Sequence, residues 1–273
     1  VSAPSPAAPP PRKILILAAL EQEEQAMLER VRALGAAVTR SSVHAGLGLE
    51  RTVAQLGERR ITIVRTGIGP VSAALALSFA QEREPADAVI LLGVGGALRP
   101  ELVVGDLAVS THVLQHDYFY SFEKGDRRIR AGALILSSEE ARGHVAEIAA
   151  DPALVDWISR AEAASRVFRG PVLSGNEFVG RAGRKRELAA LVPGALLVDM
   201  EAAGVAQVAS RLGVPFVVAK TVADRLDPEV GIERDFRVAL EAACGHAAAA
   251  VSAVLAGSSG SPTPSPAPRA PAA

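Results

Sequence analysis

Along this chain, short runs of β-branched and Leu-rich residues alternate with longer Ala-rich segments in which apolar positions recur at helical spacing. The short runs are nearly continuous in apolar character, as expected of strands covered on both faces. Strands are predicted at 13–20, 61–67, 88–94, 106–117, 170–175, 196–200 and 215–224. Helices are predicted at 21–34, 70–82, from Ser137 to about Ala164, and at 184–192, 201–213 and 235–256. Gly213 stands where a helix-ending glycine belongs, and Pro215 then opens the next strand. Interleaving of this kind implies an α/β domain built around a largely buried sheet. Between Tyr118 and Gly132, four aromatics grouped with alternating charges predict a long loop or hairpin at the edge of the core. Those aromatics either cover a ligand or partner, or anchor the loop on its own core.

Composition narrows the picture. Both ends, residues 1–11 and 257–273, are Pro, Ala and Ser with almost nothing to bury, so they are expected to be disordered tails around a single domain at 12–256. The chain has 273 residues, 49% of them apolar, and a formal net charge of -1, which excludes a nucleic-acid binder driven by a basic patch. Cys244 is the single cysteine, which excludes an internal disulfide and a cysteine-based metal site and fits a reducing cytoplasm. No apolar run is long enough to span a bilayer, and the N-terminus lacks the charged-then-apolar order of a secretory signal. The expectation is a soluble, cytoplasmic protein with no membrane partner.

In open α/β sheets ligands bind beyond the carboxyl ends of the strands. Polar residues collect there: Glu21 and Glu23 after the first strand, TGIGP after the second, GVGGAL after the third, HD after the fourth, SGNEF after the fifth, DME after the sixth and AD after the seventh. AGLGLE (45–50) and GVGGAL (93–98) each hold a GxG, but neither completes GxGxxG at a helix start, and no GxxxxGK[ST] occurs. The glycines still permit close approach of backbone to ligand, Gly96 among them. His44, His112, His116, His144 and His246 are scattered without metal-ligand spacing, and only His116-Asp117 forms a local pair. Ser174 lies in LSGN and not in a nucleophile elbow.

Glu23, Glu201 and Asp224 remain as acids set in apolar surroundings that would raise their pKa values. A protonated acid can supply a proton to a leaving group while an ionised one takes a proton from water, the pairing used in glycosidic hydrolysis. From the residues alone, placement of acids at helix starts is the better account.

The stretches ALEQEEQAML (19–28), TGIGPVSAALA (66–76), LLGVGGALRPELVVGDLAVS (91–110), QHD (115–117), LSGNEFV (173–179), VDMEAAGVAQVA (198–209) and PFVVAKTVADRLD (215–227) change that balance. In this order they resemble the purine nucleoside phosphorylase superfamily of the first type and, within it, the 5'-methylthioadenosine/S-adenosylhomocysteine nucleosidases. The resemblance runs from about Lys13 to Leu255. It implies a single domain with a central mixed, partly barrel-like β-sheet flanked by helices, a small-molecule nucleoside substrate, no metal or organic cofactor, and a homodimer whose partner closes the pocket. It implies that Glu23 deprotonates the attacking water and that Asp224 protonates N7 of the purine. Glu201 would accept from the ribose hydroxyls, Met200 pack on the sugar, Phe178 stack on the base, the Val179 backbone read the adenine edge, and Leu20 line the pocket for the 5'-alkylthio group. Lys220 would stand in place of an arginine near the water.

Phosphorylases of this superfamily hold phosphate with arginines, and arginine suits that task by its bidentate fork. Here EQEEQ follows the first strand and Leu91 stands where such an arginine is expected, leaving Arg65 as the nearby candidate. Hydrolysis is therefore expected. Val94, Lys220 and Ala223 depart from the family's usual Ser, Arg and Ser. They keep open an enzyme for another adenosine-type nucleoside, such as aminodeoxyfutalosine or a hopanoid-linked adenosine, and a non-catalytic nucleoside-binding module.

Overall fold

The computed structural model describes residues 11–129, 137, 139–140, 146–161, 166–226 and 232–257. The N-terminal tail up to residue 10 and the C-terminal tail from 258 lie outside the described residues.

At the centre, β1 (Lys13–Ala18) lies parallel between β4 (Arg59–Arg65) and β5 (Ala88–Ala97). Four successive residues of β1, Leu15 to Ala18, are at most 2% exposed, the burial that their unbroken apolar run requires. On its other side β5 pairs in parallel with β12 (Phe216–Asp224), and β12 runs antiparallel to β6 (Leu107–Gln115). The chain of pairings continues through β10 (Val167–Ser174) to β11 (Leu197–Asp199). β11 then returns antiparallel to the far end of β5, matching Val198 with Gly96. Strands β5, β12, β6, β10 and β11 thus close on themselves as a mixed barrel, and β1 and β4 extend from it as an open wing. Closure brings the carboxyl ends of β5, β10, β11 and β12 together.

Helices cover both faces. α1 (Glu21–Ala33) packs on α6 (Ile232–Leu255), and α2 (Pro70–Arg83) packs on α5 (Ala202–Leu212). α5 ends at Gly213 with φ 66, the left-handed stop read from the sequence. α2 opens with Pro70 at its first position, directly after Gly69.

Two parts of the pattern differ from expectation. The sheet is wider than predicted: β2 (Ala37–His44) and β3 (Leu49–Leu56) add an antiparallel hairpin to the edge at β4. Their residues AVTRSSVH and LERTVAQL are half polar because they form the edge of the wing, so they lack the apolar run by which the central strands announce themselves. AGLGLE is part of this hairpin's connection, turning at Gly48 with φ 62, and does not open a helix as a dinucleotide-binding turn would. The single long helix expected from Ser137 to Ala164 is also corrected. Its described part contains a short strand, β9 (Ile148–Ala149), that pairs with β6, and then α3 (Pro152–Ile158). Asp151 caps α3 by accepting from the Leu154 amide at 2.9 Å, and Pro152 fixes its first turn, so the chain starts a new helix there and does not continue an old one.

The aromatic segment forms the expected hairpin, β7 (Phe119–Tyr120) with β8 (Arg127–Arg128). Tyr118, Tyr120 and Phe122 pack on buried Ile129 within the same segment, forming a small apolar cluster separate from the main core. Among the described residues no helix is long and apolar enough to cross a membrane.

Candidate active site

At the carboxyl ends of the barrel strands lies a cleft that is partly open to solvent. Leu20, Glu23, Gly96, Phe178, Val179, Met200, Glu201 and Asp224 all line it. The barrel brings together residues that are as much as two hundred positions apart.

Glu23 sits in the first turn of α1, yet its carboxylate does more than start a helix. Oε2 accepts from the amides of Ala19 at 2.7 Å and Leu20 at 2.9 Å, and Oε1 accepts from Val94 N at 3.0 Å. Gly93 makes the last contact possible, because a Cβ there would lie 2.8 Å from Glu23 Cδ. Burial pushes the Glu23 pKa above its ordinary value, against the lowering pull of Lys220 and the amides. A carboxyl group so raised is poised to exchange a proton closer to neutral pH.

β11 ends in Asp199, and the chain enters α5 through Met200 and Glu201. Asp199 accepts from the Ala202 amide at 3.1 Å, and Ser174 Oγ accepts from the Ala203 amide at 2.9 Å, so both satisfy the first turn of α5. Glu201 faces the cleft, accepting from Gly69 N at 3.0 Å through Oε1 and from Lys220 Nζ at 2.8 Å through Oε2. Lys220 also meets Asp199 Oδ2 at 2.7 Å. It stands behind the lining, fully buried on β12, and not at the cleft surface. Burial alone would drive its ammonium toward neutrality, but Asp199, Glu201 and Glu23 outweigh that and raise its pKa. For Glu201, burial pushes upward and the contacts with Lys220, Gly69 and Met200 overcome it, so its pKa falls and it stays ionised. Asp199 keeps a raised pKa, with burial the larger effect.

Asp224 ends β12 beside a bulge. Val222 pairs with Gly95 and Asp224 with Gly96, so Ala223 is the extra residue that re-aims the strand end. The Asp224 carboxylate is 17% exposed toward the cleft and is held from behind by Lys185, which the sequence reading missed. Lys185 lies in the charged run RKRE of α4 (Ala182–Leu191), which reads as a solvated face. Its spacing from Leu188, the other buried residue of that helix, was the available signal.

Phe178 and Val179 form the opposite wall, Val179 buried and Phe178 64% exposed at the mouth. The loop that carries them is tied down by Asp117, which accepts from Asn176 N at 2.7 Å and from Gln115 Nε2 at 2.9 Å. His116 and Asp117 therefore support the site from outside its lining. His116 is buried under Gly175, and burial lowers its pKa. Arg65 does not reach the cleft and instead faces Glu21 at 3.4 Å and Glu24 at 3.6 Å. Leu91 is buried in the core. Among the described residues no group of three or more His, Cys, Asp or Glu could hold a metal ion.

A family model described as the phosphorylase superfamily matches residues 13–256. The chain belongs to this superfamily. Among its relatives, the 5'-methylthioadenosine/S-adenosylhomocysteine nucleosidase of Bacillus thuringiensis is 29% identical over 216 residues, covering 77% of this chain and 87% of that one. A solved nucleosidase of the same name from Neisseria meningitidis, in complex with methylthio-immucillin-A, is 26% identical with a TM-score of 0.74, covering 90% of this chain and 99% of that one. Futalosine hydrolase of Helicobacter pylori, at 24% identity and a TM-score of 0.73 over 89% of this chain and 97% of its own, shares the fold. The superfamily fold, closed barrel and flanking helices, is the one the sequence resemblance implied.

Proposed function

We propose that this chain hydrolyses the N-ribosidic bond of 5'-methylthioadenosine and S-adenosylhomocysteine and releases adenine. The observation that carries the reading is the charge of the cleft. Its lining presents Glu23, Glu177, Asp199, Glu201 and Asp224 and, among the described residues, no arginine or lysine. A phosphate dianion would meet carboxylates at every turn, whereas water and a sugar that develops positive charge would not be opposed.

Bond by bond, the electron pair of C1'–N9 leaves with the purine, and Asp224 supplies a proton at N7. Water oxygen joins C1', and Glu23 takes the water's proton. Glu201, ionised and anchored by Lys220, accepts from the ribose hydroxyls and offsets positive charge on the sugar. Met200 packs against the sugar, Phe178 stacks on the base, the Val179 backbone meets the adenine edge, and Gly96 leaves room beside Asp224. Leu20 and Ile68 form the apolar end for the 5'-alkylthio group. None of these steps calls for a metal or an organic cofactor, and the reading places the enzyme in the cytoplasm.

The active form in this reading is a homodimer. Ile68 is 57% exposed and Val71 76% exposed, with Leu75 one helical turn farther along α2, so an apolar strip continues from the cleft mouth. A second copy on that strip would close the 5' end. A second substrate, a larger 5'-substituted adenosine such as aminodeoxyfutalosine, draws support from the same openness at Ile68 and Phe178. Incubation with each nucleoside, followed by chromatography of the products, tests the reading. Adenine and free 5-methylthioribose are expected from 5'-methylthioadenosine. Release from aminodeoxyfutalosine alone would move the activity to the second substrate, and no release from any adenosine nucleoside would leave only a binding module.

A further inference from the structure

Lys185 is fully buried, yet it does not line the cleft. A buried ammonium is retained only if acceptors replace its water, and an apolar residue of similar size would fill the same space at lower cost. Both of its acceptors lie at the end of β12: Asp224 Oδ2, and the Arg225 carbonyl oxygen at 2.7 Å. They are consecutive residues just past the bulge, where the strand would otherwise be free to splay.

Gly96, on the neighbouring strand, makes the arrangement possible. A Cβ there would lie 2.9 Å from Asp224 Oδ1 and 3.3 Å from Lys185 Cε. The adjacent Ala223 has no hydroxyl to offer, and among the described residues Lys185 is the side chain that donates to Asp224. It engages Oδ2, leaving Oδ1 beside Gly96, itself a cleft residue.

We propose that Lys185 is a positioning residue for the reaction: it grips one oxygen of Asp224 from α4 so that the other meets the leaving purine. The inference rests on the nucleosidase reading above and deepens it. Lys185 touches no substrate and acts through Asp224 alone, so its effect belongs to steps in which the base needs a proton.

The test compares wild type, Lys185→Met, Lys185→Gln, Asp224→Asn and the double variant Lys185→Met/Asp224→Asn on two substrates. One is 5'-methylthioadenosine; the other is a nitrophenyl 5-methylthioriboside, whose leaving group departs without a proton. For Lys185→Met and Lys185→Gln, kcat on the nucleoside should fall by about 10- to 100-fold with KM nearly unchanged. The nitrophenyl glycoside should lose less than about threefold, and Lys185→Met should add no further loss to Asp224→Asn, as expected when one residue acts through the other. If Lys185→Met alone does not fold, the double variant, which leaves no unpaired charge, still gives the comparison with Asp224→Asn. Equal losses on both substrates, no loss at all, or an added loss in the Asp224→Asn background would overturn the proposal. Absence of turnover by wild type would overturn the nucleosidase reading itself, a result distinct from these.

Discussion

Two buried lysines serve the two ends of this cleft in different ways. Lys220 is surrounded by Asp199 and Glu201 in direct contact, with Glu23 acting on it as well. Lys185 meets a single carboxylate, Asp224, and a backbone carbonyl. The sugar end therefore sets two carboxyl groups against one lysine in direct contact, and the base end sets one against one. The difference suits N-ribosidic cleavage, which builds positive charge on the sugar and negative charge on the purine. In the proposed reading, both lysines serve the site without touching the substrate, by fixing the carboxylates that line the cleft.

Breaking each end in turn should give unlike results. Asp224→Asn removes the proposed proton donor at the base end and should lower kcat by about 10²- to 10⁴-fold, with a smaller loss of stability than at Lys220 because Asn still offers Lys185 an acceptor oxygen; steady-state kinetics beside a melting curve check both. Lys220→Met should do the reverse in emphasis. It leaves Asp199 and Glu201 buried without their cation, a loss of about 3–5 kcal/mol that denaturant unfolding would measure. A stable Lys220→Met variant would mean that the acids of the sugar end are not ionised together.

The pH profile sharpens the same contrast. Glu23 must be ionised to take a proton from water, and burial raises its pKa. Activity should therefore be lost, as pH falls, at a value above the ordinary glutamate pKa of about 4.3. Glu201 is lowered and remains ionised through that range, so it adds no limb there. An acid limb at or below the ordinary value would remove Glu23 from the role of base. The smallest effect is expected from Val71→Asp on the apolar strip of α2. It should weaken self-association in sedimentation and raise KM for 5'-methylthioadenosine several-fold while leaving both lysine clusters in place.

How much of this was legible in the sequence depended on how loudly each residue announces its burial. β1, β5 and the first half of β12 are apolar runs that mark them as covered strands, whereas β2 and β3, at the edge of the wing, have no such signature. The acids Glu23, Glu201 and Asp224 stood out because carboxylates are rare beside such strands. Lys185 did not stand out, because a lysine within RKRE has the composition of a solvated helix face and only the closed barrel turns it inward. Lys220 was visible as a cation, but its position behind the lining, shared between Asp199 and Glu201, is a product of tertiary packing.

The most direct measurement is the rate of adenine release from 5'-methylthioadenosine with and without inorganic phosphate. A cleft lined by carboxylates predicts equal rates in both, with free 5-methylthioribose as the sugar product. Release that requires phosphate and yields 5-methylthioribose 1-phosphate would contradict the account.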